Sequence, residues 1–218
     1  MCKSVFVATK CYSARVCLLV TATWIFACTE PAQPRLKAKA GAFAPVAHAD
    51  ARLKEAREKF HAATQPDESA SQLGSACFHR AEFAEDNKKR EALANEGIDA
   101  CRRLIAVQPN GAAGYYYLGM NLGQLAKANS TWAAWRMVKD IEGAFEKARD
   151  LDAKYSNAGP DRSLGLLHYH KHIEAPIFYG KDKAREHLER AVRLAPDYPA
   201  NRLNLLEAYI KWGDAAGI

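Results

Sequence analysis

The feature that most constrains this chain is a spacing. Gly97, Cys101, Leu104 and Pro109 stand 4, 3 and 5 residues apart, and Ala184, Leu188, Ala191 and Pro196 repeat those intervals. Residues 3 and 4 apart share a face of an α-helix, and proline, with no N–H, cannot sit inside one. Each set reads as a helix whose small residues admit a close neighbour and which a proline then ends. Ile141, Phe145 and Ala148 give a third copy, with Ala153 in the proline's place. Counting on from the prolines brings a matching first helix each time: Tyr115, Leu118 and Gly119 after Pro109, and Leu205, Tyr209 and Gly213 after Pro196. Leu73-Gly74 and Leu164-Gly165 repeat the Leu-Gly pair in a slipped register. A chain of this kind must stack helix pairs, because no single pair can bury its own apolar face.

From Ala51 onward, proline and glycine fall mainly between helix-length segments, and no alternating strand is visible. Helices are predicted near 51–64, 69–86, 88–107, 112–126, 131–152, 161–173, 181–194 and 199–212. The pattern resembles the tetratricopeptide repeat, and that resemblance implies an all-α, right-handed solenoid of helix hairpins over 51–218. The copies are irregular, with about ten extra residues between the helices of the Tyr115 repeat and about seven in the Leu164 repeat. The last helix has no following partner before Ile218. Either it caps the stack or the chain is truncated, and an apolar face there would favour self-association into a homo-oligomer.

The start of the chain is of another kind. Lys3, Lys10 and Arg15 precede an apolar run from Val16 to Ala27, and residues 1–27 hold no acid. The run is shorter than the ~20 residues that span a bilayer, so 1–27 reads as an export signal. Removing it takes the net charge of +6 to +3, too little and too scattered for a nucleic-acid surface. Ile25-Phe26-Ala27-Cys28 resembles the lipobox of bacterial lipoproteins, which implies lipidation at Cys28 and a membrane-anchored protein of the periplasm or cell envelope. Plain secretory cleavage near Ala27 and an uncleaved anchor are the other two readings. Residues 28–50, with Pro31, Pro34 and Pro45 among alanines, are expected to form a tether.

A narrower resemblance rests on three phrases in order: Arg80-Ala81-Glu82-Phe83-Ala84, then Gly114-Tyr115-Tyr116-Tyr117-Leu118-Gly119, then Ala158-Gly159-Pro160-Asp161-Arg162-Ser163-Leu164-Gly165. Over roughly 70–212 this is similar to the T-component family of TRAP transporters, lipid-anchored periplasmic helical-repeat proteins. The resemblance implies work beside a solute-binding protein and handling of an apolar solute. The other expectation is a scaffold that binds an envelope protein. By the repeat register, Tyr116, Met120, Gln124, Arg162, Leu166, Tyr169, Leu203, Glu207 and Ile210 would face a concave groove for such a ligand or partner. The competing reading packs these side chains against adjacent helices.

Other groups are weaker candidates. Cys77 and Cys101 could form one disulfide or serve as small buried hydrophobes. Trp132, Trp135 and Arg136 share a helix face and either touch a partner or membrane or cover the core. His168 and His172 have a two-ligand metal spacing beside His170 and Glu174, but no third ligand is visible, so no metal or other cofactor is expected. Glu82 to Glu91 is a charge run, read as a solvated face with Glu85–Lys89 and Asp86–Arg90 pairs. With no phosphate loop, nucleophile elbow or zinc-protease helix, the chain is not expected to be an enzyme.

Overall fold

Local signals set the helix ends. Asp86, in extended backbone, accepts a hydrogen bond from the Lys89 N–H and so caps the helix that follows it. Pro109 and Pro196 stand two residues beyond the ends of their helices, and Ala153 stands at the same place after a third. Gly213, at φ 64°, takes the left-handed conformation that closes the last helix.

A computed structural model describes residues 44–63, 68–174 and 180–214. The chain divides between Lys39 and Ala40, and all described residues belong to the second unit. Among them are eight helices and no strand: α1 Ala44–Ala62, α2 Glu68–Glu82, α3 Asn87–Val107, α4 Ala112–Ala128, α5 Thr131–Leu151, α6 Tyr155–Glu174, α7 Lys181–Leu194 and α8 Pro199–Trp212. Successive helices pack on each other, and α2 with α4, α4 with α6 and α6 with α8 also touch. That is the contact pattern of a helical repeat: even-numbered helices adjoin along one side, while α3, α5 and α7 stand apart from one another.

Residues 44–50, expected to belong to the tether, are part of α1, which begins at Ala44 and buries Ala49, and the rest of the expected tether lies outside the described residues. Pro45 is compatible with this, since a proline in the first helical turn removes no internal hydrogen bond. α1 is fastened at two points. Arg57 donates two parallel bonds of 2.6 Å to Glu96 on α3, and the buried Arg80 of α2 pairs with Asp50 and Glu85.

The three Leu-Gly pairs prove equivalent. A methyl on Gly74, Gly119 or Gly165 would meet Cys101, Phe145 or Leu188 at 2.6–2.7 Å, so each glycine lets its helix touch the next. The register slips in sequence because the intervening turns differ in length, not because the contact differs. In α8 the matching position, counted from Pro196 as Gly119 is from Pro109, is Leu206. Leu206 is exposed, with Leu203 and Ile210 beside it on the same face.

The head of α6 is unusual. Ser156, Asn157 and Ala158 have φ of 52°, 57° and 58°, a left-handed turn built without glycine. Left-handed helical backbone costs roughly 1–2 kcal/mol per residue for such side chains. Arg162 holds it by donating to the carbonyls of Asn157 (3.1 Å) and Ser156 (3.4 Å). Asn201, fully buried on α8, also donates to the Asn157 carbonyl and to those of Ala191 and Ala195 on α7's end.

Candidate functional site

A cavity of about 420 Å³ opens where α1, α2 and the even-numbered side of the stack meet. α1 presents Arg52, Glu55 and Lys59 to it from one face, and α2 presents Glu68, Gln72 and Ser75 from another. Lys59 lies 2.8 Å from Glu55 and, by hydrogen bond and charge, holds that carboxyl below its usual range. Two phenols form the remaining wall: Tyr117 of α4 and Tyr155 at the head of α6, their rings edge-to-face at 6.3 Å. Burial pushes the Tyr155 phenol up, and its hydrogen-bonded neighbour Tyr117 adds to the effect, so it stays a neutral donor. The wall is thus rich in donors and acceptors of both signs, with aromatic edges at one end.

None of the seven residues Tyr116, Met120, Gln124, Arg162, Leu166, Tyr169 and Glu207 lines this cavity. Tyr116 is 3% exposed and packs on Phe145 and Tyr155. Gln124 is 1% exposed, and Tyr169, at 4%, packs on Trp212. Packing between helices, not a groove, is what these three side chains do. Met120 and Leu166 are half-buried in the apolar clusters around α4 and α7. Arg162 is turned to the left-handed turn, with a further bond of 2.9 Å to Asn201 and its guanidinium over the Tyr198 ring. Glu207 is exposed on α8, as are Leu203 and Ile210. The tyrosine that does reach the cavity is the next one, Tyr117, about 100° further round the helix.

The remaining candidates resolve differently. Cys77 and Cys101 are free and buried, which excludes the disulfide. Burial pushes both thiols up, that of Cys101 to about 12. Glu85 turns to Arg80 instead of Lys89, Asp86 caps α3 with its carboxylate, and Arg90 donates to Asn87. His168 is enclosed, with its ring stacked on His187 at 5.7 Å and its Nε2 3.3 Å from Glu142. His187 Nδ1 in turn meets the fully buried Asp161 at 2.9 Å, and Arg190 approaches the same carboxylate at 3.3 Å. His168 is therefore part of a core network. The side chains of His170, His172 and Glu174 lie outside the described residues, as do Cys28 and the leader. Among the described residues no group of three or more His, Cys, Asp and Glu could hold a metal, and no helix is long and apolar enough to cross a membrane.

No protein-family model matches this chain, and a search of curated proteins finds no match.

Proposed function

We propose that this protein is a right-handed, tetratricopeptide-like solenoid that binds a segment of an envelope protein while acylated Cys28 tethers it to a membrane outside the cytoplasm. The observation that carries the binding half is the cavity walled by Arg52, Glu55, Lys59, Glu68, Tyr117 and Tyr155, on the side where even-numbered helices adjoin. Repeat scaffolds recognise peptides on such a surface, through polar groups fixed on rigid helices. The wall chemistry argues for a polar, hydrogen-bonding segment. An apolar solute would strip water from Arg52, Lys59 and Glu68 and return no partner to them.

Crosslinking the anchored protein in native membranes tests this. A specific partner should be captured by the parent and lost on Arg52→Glu with Lys59→Glu, both at exposed positions of the cavity wall. Equal capture by the variant would place the partner elsewhere. A hydrocarbon ligand retained in native mass spectrometry would favour instead the accessory role beside a solute-binding protein. For the tether, Cys28→Ser should abolish acyl labelling, and continued labelling would remove that half of the proposal.

A further inference from the structure

The start of α5 carries a surface that neither the cavity nor the core uses. Trp132 and Trp135 are 71% and 62% exposed, although a tryptophan that covers a core is mostly enclosed. Arg136 lies over the Trp132 ring at 4.9 Å. Trp132, Trp135, Arg136 and Lys139 fall at helical spacing on one exposed face of α5. Beside them, Trp132, Met137, Leu125 and Asn95 border a shallow recess of about 370 Å³.

Two properties of this face select its occupant. One is charge. From Leu125 to Lys139 the chain carries Lys127, Arg136 and Lys139 and no acid. The recess wall includes the carboxylate of Glu91 on α3, with Lys88 one turn before it, and Asp140 follows the patch. The balance is positive. The other is shape. α5 touches α4 and α6 and stands apart from α3 and α7, so its far side projects outward as a ridge with two large rings on it. A projecting ridge suits a deformable medium better than a preformed pocket. Indole rings favour the boundary between hydrocarbon and headgroup, where the ring is apolar and the N–H is wet, and arginine and lysine beside them reach lipid phosphate.

We infer that the Trp132–Trp135–Arg136–Lys139 face of α5 docks on an anionic lipid surface. The contact adds to any acyl chain on Cys28 and does not depend on it. It would fix how the stack stands on the membrane, where a lone anchor would leave it free to turn.

The test uses the full chain on vesicles of phosphatidylcholine with and without phosphatidylglycerol. Subtracting the emission of the Trp132→Phe, Trp135→Phe double variant from that of the parent isolates the pair from Trp24 and Trp212. Both rings are exposed, so the variant should keep the parent's far-UV circular dichroism. On vesicles with phosphatidylglycerol the difference emission should shift to the blue, resist aqueous acrylamide and be quenched by brominated lipid. Arg136→Glu with Lys139→Glu should abolish the shift. A difference emission that stays that of water-exposed indole on those vesicles overturns the inference. So does a shift that the charge reversal leaves intact, or one that appears only when another envelope protein is added.

Discussion

The α2–α3 and α6–α7 hairpins bring their helices together in the same way but fill the contact with different chemistry. Gly74 against Cys101 and Gly165 against Leu188 are equivalent close approaches. Around the first lie Leu73, Ala76, Cys77, Ala81, Leu93 and Ala100, an apolar set beside which the buried Arg80 pairs with the exposed Asp50 and Glu85. Around the second lie Asp161, His168 and His187, enclosed with Leu164, Ala184 and Leu188. The difference shows that the repeat specifies backbone distance and little else. Dispersion holds the first contact and weakens by degrees as atoms are removed. A buried polar network holds the second and fails steeply when one member is lost, because the remaining members have no water to turn to.

The largest effect should come from breaking that network. Asp161→Ala leaves His187 and Arg190 without their shared carboxylate and should destabilise by about 3–5 kcal/mol in urea unfolding. A cycle with His187→Ala should show coupling above about 0.5 kcal/mol. Additive losses would mean that the two hairpins are held alike after all.

Overpacking comes next. Gly74→Ala and Gly165→Ala should each cost about 1–3 kcal/mol. Cys101→Ala should rescue the first, since the added methyl meets only the Cys101 sulfur below 3 Å. Leu188→Ala should rescue the second less well, because the Leu188 backbone nitrogen also lies within 3.1 Å. Equal rescue would show that the α6–α7 backbone is as free to adjust as α2–α3.

Ser156→Gly is expected to act in the opposite direction, stabilising the C-terminal half by about 1 kcal/mol through relief of the left-handed turn, read as a raised Tm. A fall would mean that the turn is not strained at that residue.

At neutral pH the smallest effect belongs to the thiols. The folded state raises the Cys101 thiol to about 12, against about 8.5 for an ordinary cysteine. A raised value contributes stability that is complete below the unfolded value and is lost as pH climbs towards the folded one, so this contribution fades from about pH 8.5 upward. Native protein at pH 8 should resist alkylation at Cys77 and Cys101 and react at the rate at which it opens. Prompt labelling without denaturant would show the α2–α3 contact to be looser than its packing implies.

Much of this arrangement was legible in sequence, for identifiable reasons. Gly97, Leu188 and Pro196 carry helix phase and helix ends, and those are local properties. Pro45 misled because a proline reads as a linker signal and is equally at home in a first helical turn. The turn at Ser156 was not legible, since none of its three residues is glycine and Arg162 holds it together with Asn201, which is far off in sequence. Which tyrosine lines the cavity was not legible either. Tyr116 and Tyr117 differ by about 100° on the helix, and a register counted from Pro109 through irregular turns does not resolve that angle.

Leu206 carries a lesson for building longer arrays. Duplication extends such a stack only where the outgoing helix presents a residue small enough for the incoming one to press against, as Gly119 does for Phe145. A copy of α7 grafted behind α8 would meet a leucine branch at that point and be held off. Leu206→Gly, with the same graft, is the change that would make this surface a joint for one more unit.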